Sequence, residues 1–184
     1  MSLILLLAGL ALWAGAHFFK RIAPDARARM GQGGKGVIAL ALVGAIVLMV
    51  IGYRGMDFIP VWSPPPFLTH DGRWRSRDRH VNNLLVLIAL YLFAAGDTKA
   101  SLTARMRHPM LAGMKTWAIA HLLVNGDLAS IILFGGLLAW AVAEVIVINR
   151  SEPGWKGREN TSLKGDAMAA VGALVLFVVI GYIH

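Results

Sequence analysis

The sequence predicts an all-α fold: a polytopic membrane bundle of about six transmembrane helices, forming a single domain over residues 1–184. Three observations predict it. Of 184 residues, 57% are hydrophobic and only 15% are charged, against about 45–50% and roughly 25% in soluble domains. Mean hydropathy is +0.63. The apolar residues are gathered into six long runs separated by basic loops. Together these exclude a soluble globular enzyme. With no cysteine, disulfides, zinc thiolates, iron–sulfur clusters and a Cys nucleophile are excluded as well. The net charge of +8 is read as basic loops held at the cytoplasmic face, not as a nucleic-acid surface.

The runs follow in order. Ser2–Phe19 is uncharged apart from His17, and no Lys or Arg precedes Lys20. It therefore reads as a first transmembrane helix, not as a cleaved signal peptide. Val37–Tyr53 and Ala167–Ile183 contain no ionisable residue except tyrosine. Val81–Gly96 is apolar after Asn82 and Asn83, His108–Val124 carries Lys115, and Leu128–Ile148 carries Glu144. A span needs about 20 residues, with a range of roughly 17–25, so the third and fourth runs are short. Pro109 suits the first position of the fourth helix, with His108 before it. The turn Asn125-Gly126-Asp127 joins the fourth and fifth runs.

Loops after the first, third and fifth runs hold twelve Lys and Arg, and the other two hold five. The positive-inside rule then places the odd loops in the cytoplasm and both termini outside, in the periplasm of a bacterial inner membrane. The second loop begins Pro60-Val61-Trp62-Ser63-Pro64-Pro65-Pro66. Three consecutive prolines exclude helix and favour an extended segment. It is either an interfacial connector or a lid over a site on that face. Trp62 and Trp74 suit the interface, and His70 and His80 sit among arginines in water. No internal repeat and no low-complexity tract is found.

Ionisable groups within a bilayer are costly, and each is a functional hypothesis by default. His17 lies three residues before Lys20. It is either an interfacial histidine reaching water or an axial ligand whose neighbours Lys20 and Arg21 meet haem propionates. Trp117, His121 and Asn125 follow at intervals of four and share one helix face. That stripe serves either as a ligand site or as a polar contact with a neighbouring helix. His108 and His121 are thirteen residues apart, about 20 Å in depth, so one helix cannot offer both to one metal. Lys115 and Glu144 match in depth to about 1.5 Å on successive antiparallel helices. They are expected to pair across the bilayer interior, the alternative being a snorkelling Lys115 and a cavity-lining Glu144. No serine triad, phosphate loop, zinc HExxH helix or nucleotide fingerprint is present.

Longer motifs carry a resemblance. Arg107-His108-Pro109-Met110-Leu111-Ala112-Gly113 is followed by Trp117-Ala118-Ile119-Ala120-His121 and Asn125-Gly126-Asp127. With Gly15-Ala16-His17 and Gly52-Tyr53, these resemble the NnrU family of bacterial inner-membrane proteins. That family is named for an association with nitrite and nitric oxide metabolism in denitrifiers. It is similar in turn to the plastid cis-zeta-carotene isomerase, a membrane enzyme carrying haem b. The resemblance implies haem b held by His17 and His121, with His108 as the rival ligand and with redox or isomerase-like chemistry. The substrate would be nitric oxide or a lipophilic small molecule. A cysteine of that isomerase, tied to a ligand switch, falls at Ala118. From span midpoints, His17 and His121 differ by about 15 Å in depth, and His17 with His108 fits better. A second resemblance is to membrane methyltransferases that hold S-adenosylmethionine. There Arg107, His108, Pro109, Gly113 and Glu144 would be the equivalents, with Leu111 and Val145 departing from the pattern. A non-enzymatic sensor or assembly factor for a respiratory complex is the third expectation.

Overall fold

A computed structural model of the protein describes residues 1–63 and 77–183, the side chains of residues 77–79 excepted. Pro64 to Pro66, His70, Trp74 and His184 lie outside them, so the readings placed on those residues do too.

Among the described residues seven α-helices follow in order: α1 (Ser2–Ile22), α2 (Pro24–Arg29), α3 (Gly33–Arg54), α4 (Arg77–Thr98), α5 (Pro109–Val124), α6 (Leu128–Ser151) and α7 (Leu163–Ile183). A 3₁₀ turn, Ser101–Thr103, joins α4 to the approach of α5. Among the described residues β structure is confined to two isolated bridges, Pro60 with Asp127 and Ala100 with Ser162. All six apolar runs are helical, as expected. Five helices (α1, α3, α4, α6 and α7) are long and apolar enough to cross a membrane. Helix α5 has 16 residues, about 24 Å, against a hydrocarbon core of about 30 Å. Its length is fixed by Pro109 at its start and by the extended Asn125 at its end. The small helix α2 was not expected. It begins with Pro24, whose missing N–H costs nothing at a first helical position.

The helices pack in the order α3–α1–α6–α5–α4–α7, with α6 central. Its residues Phe134, Leu137, Trp140, Ala141 and Glu144 are buried. Leu137, Trp140 and Ala141 form one core with Leu6 of α1 and Met49 of α3. The α1–α3 contact depends on a glycine. A Cβ on Gly9 would stand 2.8 Å from the Met49 backbone nitrogen and 2.9 Å from the Ala45 carbonyl oxygen, so only glycine lets the backbones approach this closely. At the far end of the row, Ala95, Ala100 and Ala169 form a small second core, with Tyr91 beside it. The Tyr91 hydroxyl donates to Asp166 Oδ1 at 2.7 Å and ties α4 to α7. The outward faces carry Leu40, Val43, Val175 and Val178, all exposed, as lipid contact requires.

The turn between α5 and α6 is capped. Asp127 Oδ1 accepts from the Ser130 backbone nitrogen at 3.0 Å, and Tyr53 reaches Ser130 Oγ from α3. The start of the second loop is strapped over this turn. The backbone nitrogens of Val61 and Trp62 both donate to the Gly126 carbonyl, at 2.8 and 3.0 Å.

Candidate functional site

Two local motifs place imidazoles against α6. In α1, residues Trp13, His17 and Arg21 recur every four positions and so lie on one face. The Trp13 carbonyl accepts from His17 Nδ1 at 2.9 Å. A carbonyl can only accept, so Nδ1 carries a proton and Nε2 is the ring nitrogen left to face a ligand. The His17 ring forms a triangle with two indoles, its centroid 4.5 Å from both Trp13 and Trp140 and theirs 5.4 Å from each other. In α5, Trp117, His121 and Asn125 repeat the pattern. His121 Nδ1 donates to the Trp117 carbonyl at 2.9 Å. The His121 ring stacks on Phe134 of α6 at 4.4 Å. Asn125 Nδ2 donates to the His121 carbonyl at 3.0 Å, which closes the end of α5.

The pattern has a signature in the sequence that the reading above missed. Trp13-Ala14-Gly15-Ala16-His17 and Trp117-Ala118-Ile119-Ala120-His121 share Trp-Ala-x-Ala-His. It is a short internal repeat, found by aligning the two histidines. In both copies tryptophan one turn upstream supplies the carbonyl, and an α6 aromatic completes a triad of mutually contacting rings.

Four residues after His17, Arg21 reaches the buried carboxylate of α6. Arg21 Nη1 donates to Glu144 Oε1 at 3.0 Å, and Arg21 Nη2 lies 3.5 Å from Glu152 Oε1. This corrects the expected Lys115–Glu144 pair. Lys115 makes no ion pair among the described residues. Depth matching ranked it as a partner, but the helix face decides. Glu144 lies on the face that carries Leu137, Trp140 and Ala141 toward α1. Lys115 follows Met114, the residue of α5 that packs on α6, by 100° around the helix. Arg21 is thereby engaged by carboxylates, against the expectation that it meets a propionate. Lys20, beside it, is exposed.

Among the described residues, four buried polar atoms around His17 have no hydrogen-bond partner: Trp13 Nε1, Trp140 Nε1, Arg21 Nε and Glu144 Oε2. Buried polar groups are nearly always satisfied, and Asn82 Oδ1 and Asp166 Oδ2, elsewhere in the bundle, share this state.

Helix α6 also serves as a ruler. His121 faces Phe134, His17 faces Trp140, and His108 Nε2 bonds Asn149 Oδ1 at 2.9 Å. At 1.5 Å per residue, His17 and His121 stand about 9 Å apart in depth, and His17 and His108 about 14 Å. Two ligands on opposite sides of one metal stand roughly 4 Å apart, twice a metal–nitrogen bond of about 2 Å. Six positions also turn the α6 contacts by about 120°. In this arrangement His17 and His121 do not fit the two faces of one haem. His108 does not rescue the pairing, being farther from His17 and held through its Nε2 by Asn149. Taken singly, His17 is oriented as a metal-ligating histidine is, with Nδ1–H on a backbone carbonyl and Nε2 directed away from it.

The methyltransferase pattern is dispersed. Glu144 is engaged by Arg21, and Gly113 packs on α4, where a Cβ would meet the Ala89 carbonyl oxygen at 2.9 Å. Among the described residues no group of three or more His, Asp or Glu could hold a metal ion.

A family model described as NnrU protein matches residues 5–184. No curated protein and no solved structure matches the chain.

Proposed function

The chain belongs to the NnrU family over residues 5–184, and from that premise we propose that it is a bacterial inner-membrane protein carrying haem b on one histidine, His17. The observation that carries the proposal is the imidazole with its proton fixed on Nδ1, set among four unsatisfied buried polar atoms. Bound there, haem b would supply a redox-active iron with one position open to nitric oxide or another small ligand. The chain's own residues do the rest. The Trp13 carbonyl fixes the tautomer and orients the ring. The indoles of Trp13 and Trp140 pack against one side of the imidazole. Arg21 neutralises Glu144 within the bilayer and stands one turn from His17. Exposed Lys20 is the free cation nearest the site in sequence and would take a propionate. By the distribution of Lys and Arg, this end of the bundle faces the cytoplasm and the termini face the periplasm.

A single histidine supports this reading of function better than a pair. An iron with two histidines has no vacancy for a gas, whereas an iron with one does. This suits the link to nitrogen-oxide metabolism that the family resemblance implies. Redox or isomerase-like turnover of a lipophilic molecule would use the same open position. A sensor or assembly factor would use it without turnover.

The test is an optical spectrum of detergent-purified protein, oxidised and then dithionite-reduced, with haem quantified as its pyridine complex. Carbon monoxide and nitric oxide are then added to the reduced form. A b-type spectrum that shifts promptly with both gases is the expected result. No haem after reconstitution, or a spectrum indifferent to both gases, would overturn the proposal.

A further inference from the structure

We infer that a cavity beneath the Arg107-His108-Pro109 turn is a binding site for a phosphate group at the membrane surface. The inference is independent of the haem proposal, because the cavity lies at a different place along α6.

The cavity has a volume of about 300 Å³ and is walled by Arg107, His108, Arg158 and the first turn of α5. That volume is at the small end of ligand sites. Its charge is one-sided. Two guanidiniums and an imidazole line it, and no acidic residue does. Arg158 is held by neutral groups: Nη1 donates to the Ala95 carbonyl at 2.8 Å and to Thr103 Oγ1 at 3.1 Å, and Nη2 to the Gly96 carbonyl. Among the described residues no carboxylate lies within 4 Å of it. Arg107 is 3.7 Å from Glu152 Oε2, but that carboxylate is 59% exposed and is shared with Arg21. Glu144 and Glu152 are thus engaged by Arg21 and Arg107, and Arg158 is in no ion pair among the described residues.

The wall also contains a helix start. The first intrahelical bond of α5 runs from the Ala112 nitrogen to the His108 carbonyl. The N–H groups of Met110 and Leu111 precede it and have no acceptor in the helix. No side chain caps this end. Arg107 Nη2 donates to the Glu152 carbonyl, so the free donors are the Met110 and Leu111 N–H groups and the remaining guanidinium N–H groups. A positive helix end with two guanidiniums beside it matches a phosphate in charge. Arg158 and Gly96 place the cavity at the end of α4, a helix long enough to cross a membrane, which is the level of lipid headgroups. The phosphate is therefore either that of a phospholipid or a free one.

The test separates these sources. Detergent-purified protein is titrated by native mass spectrometry with phosphatidylglycerol, with diacylglycerol, which has the same tails and no phosphate, and with inorganic phosphate. One phosphatidylglycerol should bind at least tenfold more tightly than diacylglycerol. Arg107→Gln should weaken it about tenfold. Lys156→Gln, a nearby cation outside the cavity wall, should not. Glu152→Gln, which removes the carboxylate competing for Arg107, should tighten binding and so tests the site without deleting a donor. Displacement by millimolar inorganic phosphate identifies a free phosphate as the ligand; retention identifies the lipid. Equal binding of diacylglycerol and phosphatidylglycerol, with no phosphate binding, would overturn the inference. So would unchanged affinity in both Arg107→Gln and Glu152→Gln.

Discussion

Arg21 of α1 and Glu144 of α6 meet at 3.0 Å, 123 positions apart in sequence. The contact joins the first hairpin of the bundle to its central helix. Glu144 is only 5% exposed, so its charge depends on this one guanidinium. A buried ion pair adds little net stability over an apolar pair, but removing one partner strands the other.

Arg21→Met should therefore destabilise the protein by about 3–5 kcal/mol, while Glu144→Gln, which leaves Arg21 21% exposed and still beside Glu152, should cost less. The double variant Arg21→Met/Glu144→Leu should recover most of the loss. Lys115→Met should stay within about 0.5 kcal/mol of the parent, as a substitution away from such features does. Thermal unfolding followed by circular dichroism checks all four. A large loss in Lys115→Met with none in Arg21→Met would restore the pairing expected from depth alone.

Gly9 and Gly15 are both glycines of α1, and they should respond in opposite ways. Gly9→Leu drives a side chain into the α3 backbone and should cost about 1–3 kcal/mol or more. Gly15 has nothing within 4 Å of its would-be Cβ, so Gly15→Ala should gain up to about 1 kcal/mol from helix preference. Melting temperatures of the two variants read the difference directly.

Arg158 closes the end of α4 by bonding the Ala95 and Gly96 carbonyls. Arg158→Ala should cost about 1.5–3 kcal/mol, the range for hydrogen bonds to a charged group. The effect should be local. Hydrogen exchange should quicken in the 3₁₀ turn Ser101–Thr103, while α1 and α3 keep their protection.

Asp127 caps α6 through the Ser130 nitrogen. Asp127→Ala should cost about 1 kcal/mol and loosen the strap that Val61 and Trp62 make to Gly126. Exchange at the Val61 and Trp62 amides should rise in this variant, and should not rise in Asp25→Ala, at a distant helix start.

The fold was legible because bilayer crossing is a one-dimensional property. Length and hydropathy mark each span, Pro109 marks a helix start, and Asn125-Gly126-Asp127 marks a turn. The site was only half legible for the same reason. Residue counts give depth, which is why Lys115 matched Glu144, but they do not say which helices are neighbours. That α6 lies between α1 and α5 is a fact of packing, and it hands Glu144 to Arg21. Span midpoints overstated the His17–His121 offset, about 15 Å against about 9 Å along α6, because they ignore how far α5 is displaced by its short length. The Trp-Ala-x-Ala-His repeat was present in the letters throughout. Its meaning, a carbonyl that fixes an imidazole tautomer, required the structure.

The central claim is that one imidazole, His17, holds the cofactor. It is tested most directly by measuring the haem content and reduced Soret band of His17→Ala and His121→Ala beside the parent. The account predicts that His17→Ala loses the haem, while His121→Ala keeps it with its gas-induced shifts intact. Equal loss in both variants would restore the two-histidine arrangement, and retention in His17→Ala would contradict the account outright.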